Sequence, residues 1–381
     1  MASEKDASPQ ALFPCDVIYE ILLRLPVRSL LRCRCVCKQW KSMISDTHFA
    51  KLHLSMSTVD PTLTHHRLLI PTRNGNGELG SCSVKSIFNN PLTLSEDVDF
   101  TMRRNYQLCG SCNGLVCFIH QSQTHARLWN PSTRLLSRKT PSMYVDGDEI
   151  ALFDGFGYDH VSDKYKVVLV FRDPRSNEVH KTITKVYAFG DRSWKTERNL
   201  KFAGYPVSMH DGKFVCGNLN WVANRAKSIN RPEWEMLSFD LGKDTFSNVL
   251  LPDFGDDNPL YLEQAVLKDC LCVSYDCERT HLMVVWLMKE YGVKESWVKF
   301  MVIPRVELQI GGFIPYTKPW CISKKGAVLL YTTFGPALYD PKVDRQIGAG
   351  HPFYLVYPDV KGRDIWFNQC IYIESLVSPC F

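Results

Sequence analysis

Apolar positions along the chain follow two rhythms, and the change between them falls near residue 60. Before it the spacing is helical. In "VIYEILLRLP", Ile18, Ile21, Leu22 and Leu25 fall at i, i+3, i+4 and i+7, one stripe of an amphipathic helix. Asp16, just after Pro14, is the expected N-cap, and Pro26 the expected stop, because proline offers no amide and restricts the residue before it. The next segment, "LLRCRCVCKQW", is expected to start at a Ser29 cap. At about 100° per residue, Cys33, Val36, Cys37, Trp40 and Ile44 share one face, with Arg34, Lys38 and Lys41 as a basic stripe beside it. The pattern fits one kinked helix or two. Asp46 reads as the cap of a last helical segment, "DTHFAKLHL".

After residue 60, short β-branched and aromatic runs alternate with Gly, Asn, Asp and Pro turns: "HRLLI", "GLVCFIH", "YKVVLVF", "TKVYAFG", "LNWVA", "CLCVSYD", "LMVVWLM", "AVLLYTT". No long helical pattern interrupts them, which predicts an all-β domain. Four times an aromatic residue is followed by Asn or Asp and a polar turn, at Trp129, Tyr158, Phe239 and Tyr339. The strand leucines Leu115, Leu219, Leu271 and Leu329 stand 104, 52 and 58 residues apart, so the first gap is about two units of the second. A hairpin-built unit near fifty residues suits a β-propeller better than a sandwich, and the length left allows about six degenerate blades. The expected fold class is therefore α plus all-β: a small helical module followed by a propeller-like domain.

Composition narrows the setting. The 381 residues carry a formal charge of +5, too mild for a dedicated nucleic-acid binder. Fifteen cysteines, an odd number, do not make a simple disulfide framework. No apolar run has the length of a signal peptide or a membrane span. A reduced, cytoplasmic or nuclear setting is expected, with the cysteines acting mostly as small buried hydrophobes and with neither nucleic acid nor membrane as partner.

Candidate chemistry is sparse. Cys33, Cys37, His48 and His53 come close to zinc-finger spacing. A finger, however, carries its cysteines on a hairpin, whereas these lie on a helical pattern that uses them for packing, so no metal is expected. "GSCNG" fits a Gly-x-nucleophile-x-Gly elbow around Cys112, with His120 nearby, but an elbow needs a helix after it and "LVCFIH" is a strand pattern. Those glycines are expected to make a hairpin turn. No phosphate-cradling loop, zinc-protease helix or dinucleotide fingerprint occurs, and no cofactor is expected. "VDGDEI" and "DFGDDNP" read as solvated loops.

The residues from "FPCDVIYEILLRLP" through "RCRCVCKQW" to "ISDTHF" resemble an F-box, the helical module that docks on Skp1 in cullin-based ubiquitin ligases. Family members usually open with Leu-Pro, where this chain has Phe13-Pro14. The resemblance implies a Skp1 interface at Phe13, Pro14, Ile18, Ile21, Leu22, Leu25, Pro26 and Leu30. A module of this size is marginal alone, and its apolar stripe is larger than so small a core requires, which independently points to a partner surface. "GSCNGLVCF", "LWNPSTR", "GFGYDHVSDKYKVV", "SFDLGKDTF" and "IYIESLV" resemble the plant F-box-associated domain, described as kelch-like. The implied layout is a tail (1–11), an F-box (12–54) and a β domain (55–381). The implied role is a non-catalytic substrate receptor that joins Skp1, and through it a cullin, to a protein marked for ubiquitination. The alternative is a propeller-type hydrolase or sugar-binding enzyme with an incidental helical cap.

For the target-binding surface, loops with aromatics that no core pattern claims are the candidates: Arg225, Lys227, Arg231 and Trp234 in one, Tyr316, Lys318 and Trp320 in another; the alternative is that Trp234 and Trp320 fold back as blade plugs.

Overall fold

The computed structural model describes residues 14–71, 78–90, 96–101, 106–122, 124–144, 150–172, 181–201, 205–206, 210–224, 232–304, 307–308, 312–313, 317–332, 335–344, 353–355 and 369–380. Four helices come first: α1 (Cys15–Leu23), α2 (Val27–Cys33), α3 (Lys38–Ile44) and α4 (Thr47–Thr58). Pro14, not Asp16, is the N-cap of α1, and Asp16 falls in the first turn, where negative charge suits the exposed amides. Pro26, not Ser29, likewise caps α2. A proline just outside a helix start holds φ near the helical value and forfeits no amide that the helix needs. Asp46 caps α4 as expected, accepting from the Phe49 amide at 3.0 Å. α4 runs to Thr58, so the helical module extends past the expected boundary at residue 54.

The cysteine-rich segment is two helices. α2 stops at Cys33, and Cys37 is extended (φ −154°, ψ 166°), its Sγ accepting the Trp40 amide at 3.4 Å to open α3. This break resets the helical phase, so the expected common face divides. Ile44 is buried, Cys33 and Trp40 pack half-buried on the helical core, and Val36 and Cys37 lie exposed.

The described β residues form six four-stranded antiparallel units, here called blades; two of them join into one sheet through a parallel pairing of His210–Gly212 with Phe153–Gly155, and two short pairs, Tyr205–Pro206 on Ala223–Asn224 and Glu307–Leu308 on Gly312–Phe313, lie outside the six. Blade 2 contains Tyr106–Cys112, Leu115–His120, Ala126–Asn130 and Leu135–Leu136. Blade 3 has Ile150–Asp159, Lys164–Arg172, Lys181–Ala188 and Lys195–Lys201; blade 4 has His210–Val215, Asn218–Asn224, Trp234–Asp240 and Thr245–Val249. Blade 5 has Glu263–Leu267, Cys270–Cys277, Leu282–Met288 and Trp297–Pro304; blade 6 has Lys318–Ile322, Val328–Tyr331, Ala337–Tyr339 and Phe353–Leu355. Blade 1 joins the two ends of the β region. His66–Pro71, Glu78–Ser83 and Glu96–Thr101 are completed by the late strand Cys370–Ile373, which pairs with His66–Pro71.

Side-chain alternation turns these sheets into a ring. In Leu115–His120, Val116 and Phe118 join the core toward blade 1, while Leu115, Cys117 and Ile119 join the core toward blade 3. In Lys164–Arg172, Val167, Leu169 and Phe171 face blade 2, and Val168 and Val170 face blade 4. Burial on both faces explains why these strands read as continuous apolar runs. Further cores fill the gaps between blades 4 and 5, 5 and 6, and 6 and 1, closing a six-bladed propeller. Leu115, Leu219, Leu271 and Leu329 all lie on the second strand of their blades and are fully buried.

The aromatic–Asn/Asp repeat is a recurrent turn. Asn130, Asp159 and Asp240 accept backbone amides two residues on, at 2.8 to 2.9 Å, and Arg134, Asp163 and Asp244 then take positive φ of 62°, 55° and 54°. "GSCNG" is a two-residue hairpin turn in which Asn113 and Gly114 have φ of 51° and 77°. Cys112 beside it is buried, and burial pushes its thiol upward.

The helical module is fastened to the propeller through α4 and the end of the chain. Leu376, beyond the last strand, packs on the helical core. Lys51 pairs with Asp163 of blade 3 at 2.7 Å. His53, fully buried, meets the Leu25 carbonyl through Nε2 at 2.8 Å and contacts the His65 ring edge-on at 5.6 Å.

Candidate interaction surfaces

The stripe of α1 is divided between the inside and the outside of the module. Leu22 and Leu23 are buried with Leu30, Ile44 and Phe49 in the helical core. Leu22 and Leu30 therefore hold the module together, which corrects their assignment to a partner surface; a closed core of four short helices needs its largest apolar groups inside. Ile18 and Leu25 sit at the rim, half-buried against that core. Pro14 and Pro26 are exposed, as is Ile21 at 53%. Val17, which the periodicity argument passed over, is 43% exposed beside them. Its signal was present: Pro14, Val17 and Ile21 repeat at i, i+3 and i+7, a second apolar edge. Phe13 lies outside the described residues.

This apolar edge has polar and basic surroundings. Arg24 pairs with Glu20 one turn back at 2.7 Å, and Arg32, Lys38 and Lys41 are exposed on the following helices. Gln39 Nε2 donates to Cys15 Sγ at 3.2 Å, tying the start of α3 to that of α1. The zinc-like quartet does not converge: His53 is buried on Leu25, Cys37 caps α3 and His48 is exposed. Among the described residues no group of three or more His, Cys, Asp or Glu is placed to hold a metal ion. All fifteen cysteines are free thiols.

The second surface is the far rim of the propeller. The inner strand of blade 3 runs toward the helical module, since the Asp159–Asp163 turn at its end carries the partner of Lys51. The inner strand of blade 4 is parallel to it. Antiparallel alternation then puts the start of every inner strand, and the turns between second and third strands, at the opposite rim. Trp234 and Lys318, as strand starts, belong there.

Within the two candidate target loops the structure commits the described side chains to the fold. Trp234 packs half-buried on the core between blades 4 and 5, and its Nε1 donates to the Pro259 carbonyl at 2.7 Å. Trp320 packs on the core between blades 6 and 1 and touches the Tyr331 ring at 5.3 Å. Lys318, only 13% exposed, approaches Glu263 at 3.6 Å and lies over Tyr331. Trp234 and Trp320 thus follow the blade-plug alternative, and Lys318, a staple, is a correction to its reading as a free recognition group. Arg225, Lys227, Arg231 and Tyr316 lie outside the described residues. The acidic loop "DFGDDNP" is tethered as well: Asp257 accepts from Tyr275 at 3.0 Å and pairs with Arg279 at 3.2 Å.

Among the described residues, a helical module with an exposed apolar edge is joined to one rim of a six-bladed propeller. Residues 12–52 match the F-box domain and residues 64–379 match the F-box associated beta propeller domain, so the chain belongs to the F-box proteins that carry this propeller. It is 32% identical over 379 residues to the F-box/kelch-repeat protein At3g23880 of Arabidopsis thaliana, covering 98% of this chain and 97% of that protein. It is 30% identical over 343 residues to F-box protein CPR1 of the same plant, covering 84% and 79%. Among solved structures, Kluyveromyces lactis Hsv2 aligns over 75% of each chain with 11% identity and a TM-score of 0.36.

Proposed function

We propose that the chain is the substrate-recognition subunit of a Skp1–cullin–F-box ubiquitin ligase. In this reading the apolar edge of Pro14, Val17 and Ile21, with the rim of Ile18, Leu25 and Pro26, docks on a Skp1-type adaptor. Phe13 keeps the role its place in the motif implies. The far rim of the propeller holds a protein target, and the rigid attachment through α4 keeps that target at a fixed distance from the ligase. The chain itself performs no chemistry here. In support, buried Cys112 is held in its neutral thiol form, the opposite of what a nucleophile needs.

The observation that carries the reading is the exposure of Ile21 beside a core that is already closed by Leu22, Leu23 and Leu30. An interface-centre residue is worth ~2 kcal/mol or more. Ile21→Asp should therefore weaken adaptor binding at least ~30-fold in a pull-down with purified Skp1, with an unchanged melting temperature. Leu22→Ala should instead destabilise the module by about 2–5 kcal/mol. Undiminished adaptor capture by Ile21→Asp would sink the assignment of this edge.

A further inference from the structure

At the far rim, blade 2 gathers three rings. Tyr106 opens the inner strand and is the register partner of His120, the last residue of the second strand. His125 immediately precedes the third strand, and the His120 amide donates to its carbonyl at 2.9 Å, closing the hairpin. The two imidazoles stack at 4.8 Å, and Tyr106 stands edge-on to them at 5.3 and 5.5 Å. Tyr106 is anchored below, against the core between blades 1 and 2.

The hydrogen bonding inside the cluster is nearly complete. His125 uses both nitrogens, Nε2 with the Tyr106 hydroxyl at 2.6 Å and Nδ1 with Thr124 Oγ1 at 3.1 Å. His120 Nδ1 meets Ser122 Oγ at 2.5 Å, and Ser122 Oγ meets Thr124 Oγ1 at 3.0 Å. His120 Nε2 is left without a partner among the described residues, on a half-exposed ring. Burial, then Lys139, His120 and Arg127, hold His125 below the ordinary imidazole value. Arg127 is itself fixed in place, its guanidinium donating to the Ser137 carbonyl at 2.6 and 3.0 Å. No described carboxylate bonds either imidazole.

His120 is a half-exposed imidazole held through Nδ1 by Ser122, with Nε2 turned to no described partner, beside a row of hydroxyls. We propose that this cluster is a subsite for an anionic oxygen group, carboxylate or phosphate, carried by the protein target. The inference rests on the receptor reading only for what carries the anion. The Ser122 amide donates to His120 Nδ1 at 3.3 Å, which leaves the ring's own proton on Nε2, and that N–H donates to the incoming anionic oxygen, a charge-assisted bond.

The test uses the full chain with histidine-labelled rings followed by NMR, and two probes of fixed charge between pH 6 and 8: inorganic sulfate and acetate. Wild type should show saturable shifts at His120 and His125. His120→Gln should abolish binding without changing the melting temperature, whereas His120→Lys, which restores an N–H donor, should retain it. Stronger binding of sulfate would assign the subsite to phosphorylated targets; equal or stronger binding of acetate would assign it to acidic side chains. No saturable shift in wild type, or binding that survives His120→Gln, overturns the proposal. Adaptor pull-down on the same proteins keeps the two readings apart, because loss of one function leaves the other measurable.

Discussion

Gly114 shows how much a single residue can carry here. Its φ of +77° is a left-handed conformation, and a Cβ built on it would lie 2.2 Å from Ser375 Oγ and 2.6 Å from the Ile373 carbonyl. Gly217, at φ +78°, turns an equivalent hairpin of blade 4 with nothing within 4 Å of its would-be Cβ. Gly217→Ala should cost only the backbone term, about 1–2 kcal/mol. Gly114→Ala adds displacement of the late strand and should cost about 3 kcal/mol or more, read as the difference between the two variants in chemical denaturation. Equal losses would mean that Ser375 gives way freely. The turn itself was legible, because Asn-Gly between two strand patterns is a strong hairpin signal. The crowding was not, because Ser375 is far away in sequence. The same distinction explains the target-loop residues: nothing local in the sequence shows that Trp234 finds the Pro259 carbonyl, or that Lys318 reaches Glu263.

At the scale of elements, the eight apolar runs singled out by pattern all contain strands, because blade strands buried on both faces carry a dense signal. Helix ends were less legible. Pro14 and Pro26 take the cap positions from better-known capping residues, and a cysteine cap at Cys37 decides for two helices a segment whose pattern fits either one kinked helix or two. α4 carries the next prediction. Burial holds His53, His65 and His66 below the ordinary imidazole value, with neighbouring histidines adding to it at His53 and His66, and their Nδ1 atoms are buried without a partner. A depressed histidine pKa means that the unfolded state binds more protons, so this junction is fully stable above about pH 6.5 and weakens as pH falls below it. At Asp60, burial alone would raise the carboxyl, but hydrogen bonds from Thr62 and Thr64 outweigh it and hold the group at about 2. Its contribution is lost only below about pH 4, so the window from 6.5 down to 5 belongs to the histidines. Amide exchange in α4 should accelerate across that window, and His53→Gln should flatten the response. An exchange rate in α4 that, corrected for intrinsic chemistry, stays constant from pH 7.5 to 5 would exclude this role.

At the scale of the whole molecule, one short segment closes the ring and seats the helical module. Cys370–Ile373 supplies the inner strand of blade 1, and Tyr372 within it is buried and bonded to Ser81 at 2.9 Å. Three residues later, Ser375 and Val377 receive the Asn130 side chain on blade 2, and Leu376 packs on the helical core. The segment thus bridges blade 1, blade 2 and the F-box at once. A ring of blades gains its inter-blade cores only when closed, so removing the closing strand exposes the cores on both sides of blade 1 to water. That loss is comparable to the ~5–15 kcal/mol that separates a typical native domain from its unfolded state. A chain ending at Gln369 should lose cooperative unfolding, followed by tryptophan fluorescence, and should capture adaptor poorly because Leu376 is gone from the helical core. A chain ending at Pro379 keeps every one of these contacts and should melt within about 2 °C of full length, since substitutions away from such features usually change stability by less than ~0.5 kcal/mol. Cooperative melting of the shorter chain at the full-length temperature would show that the propeller closes without this strand.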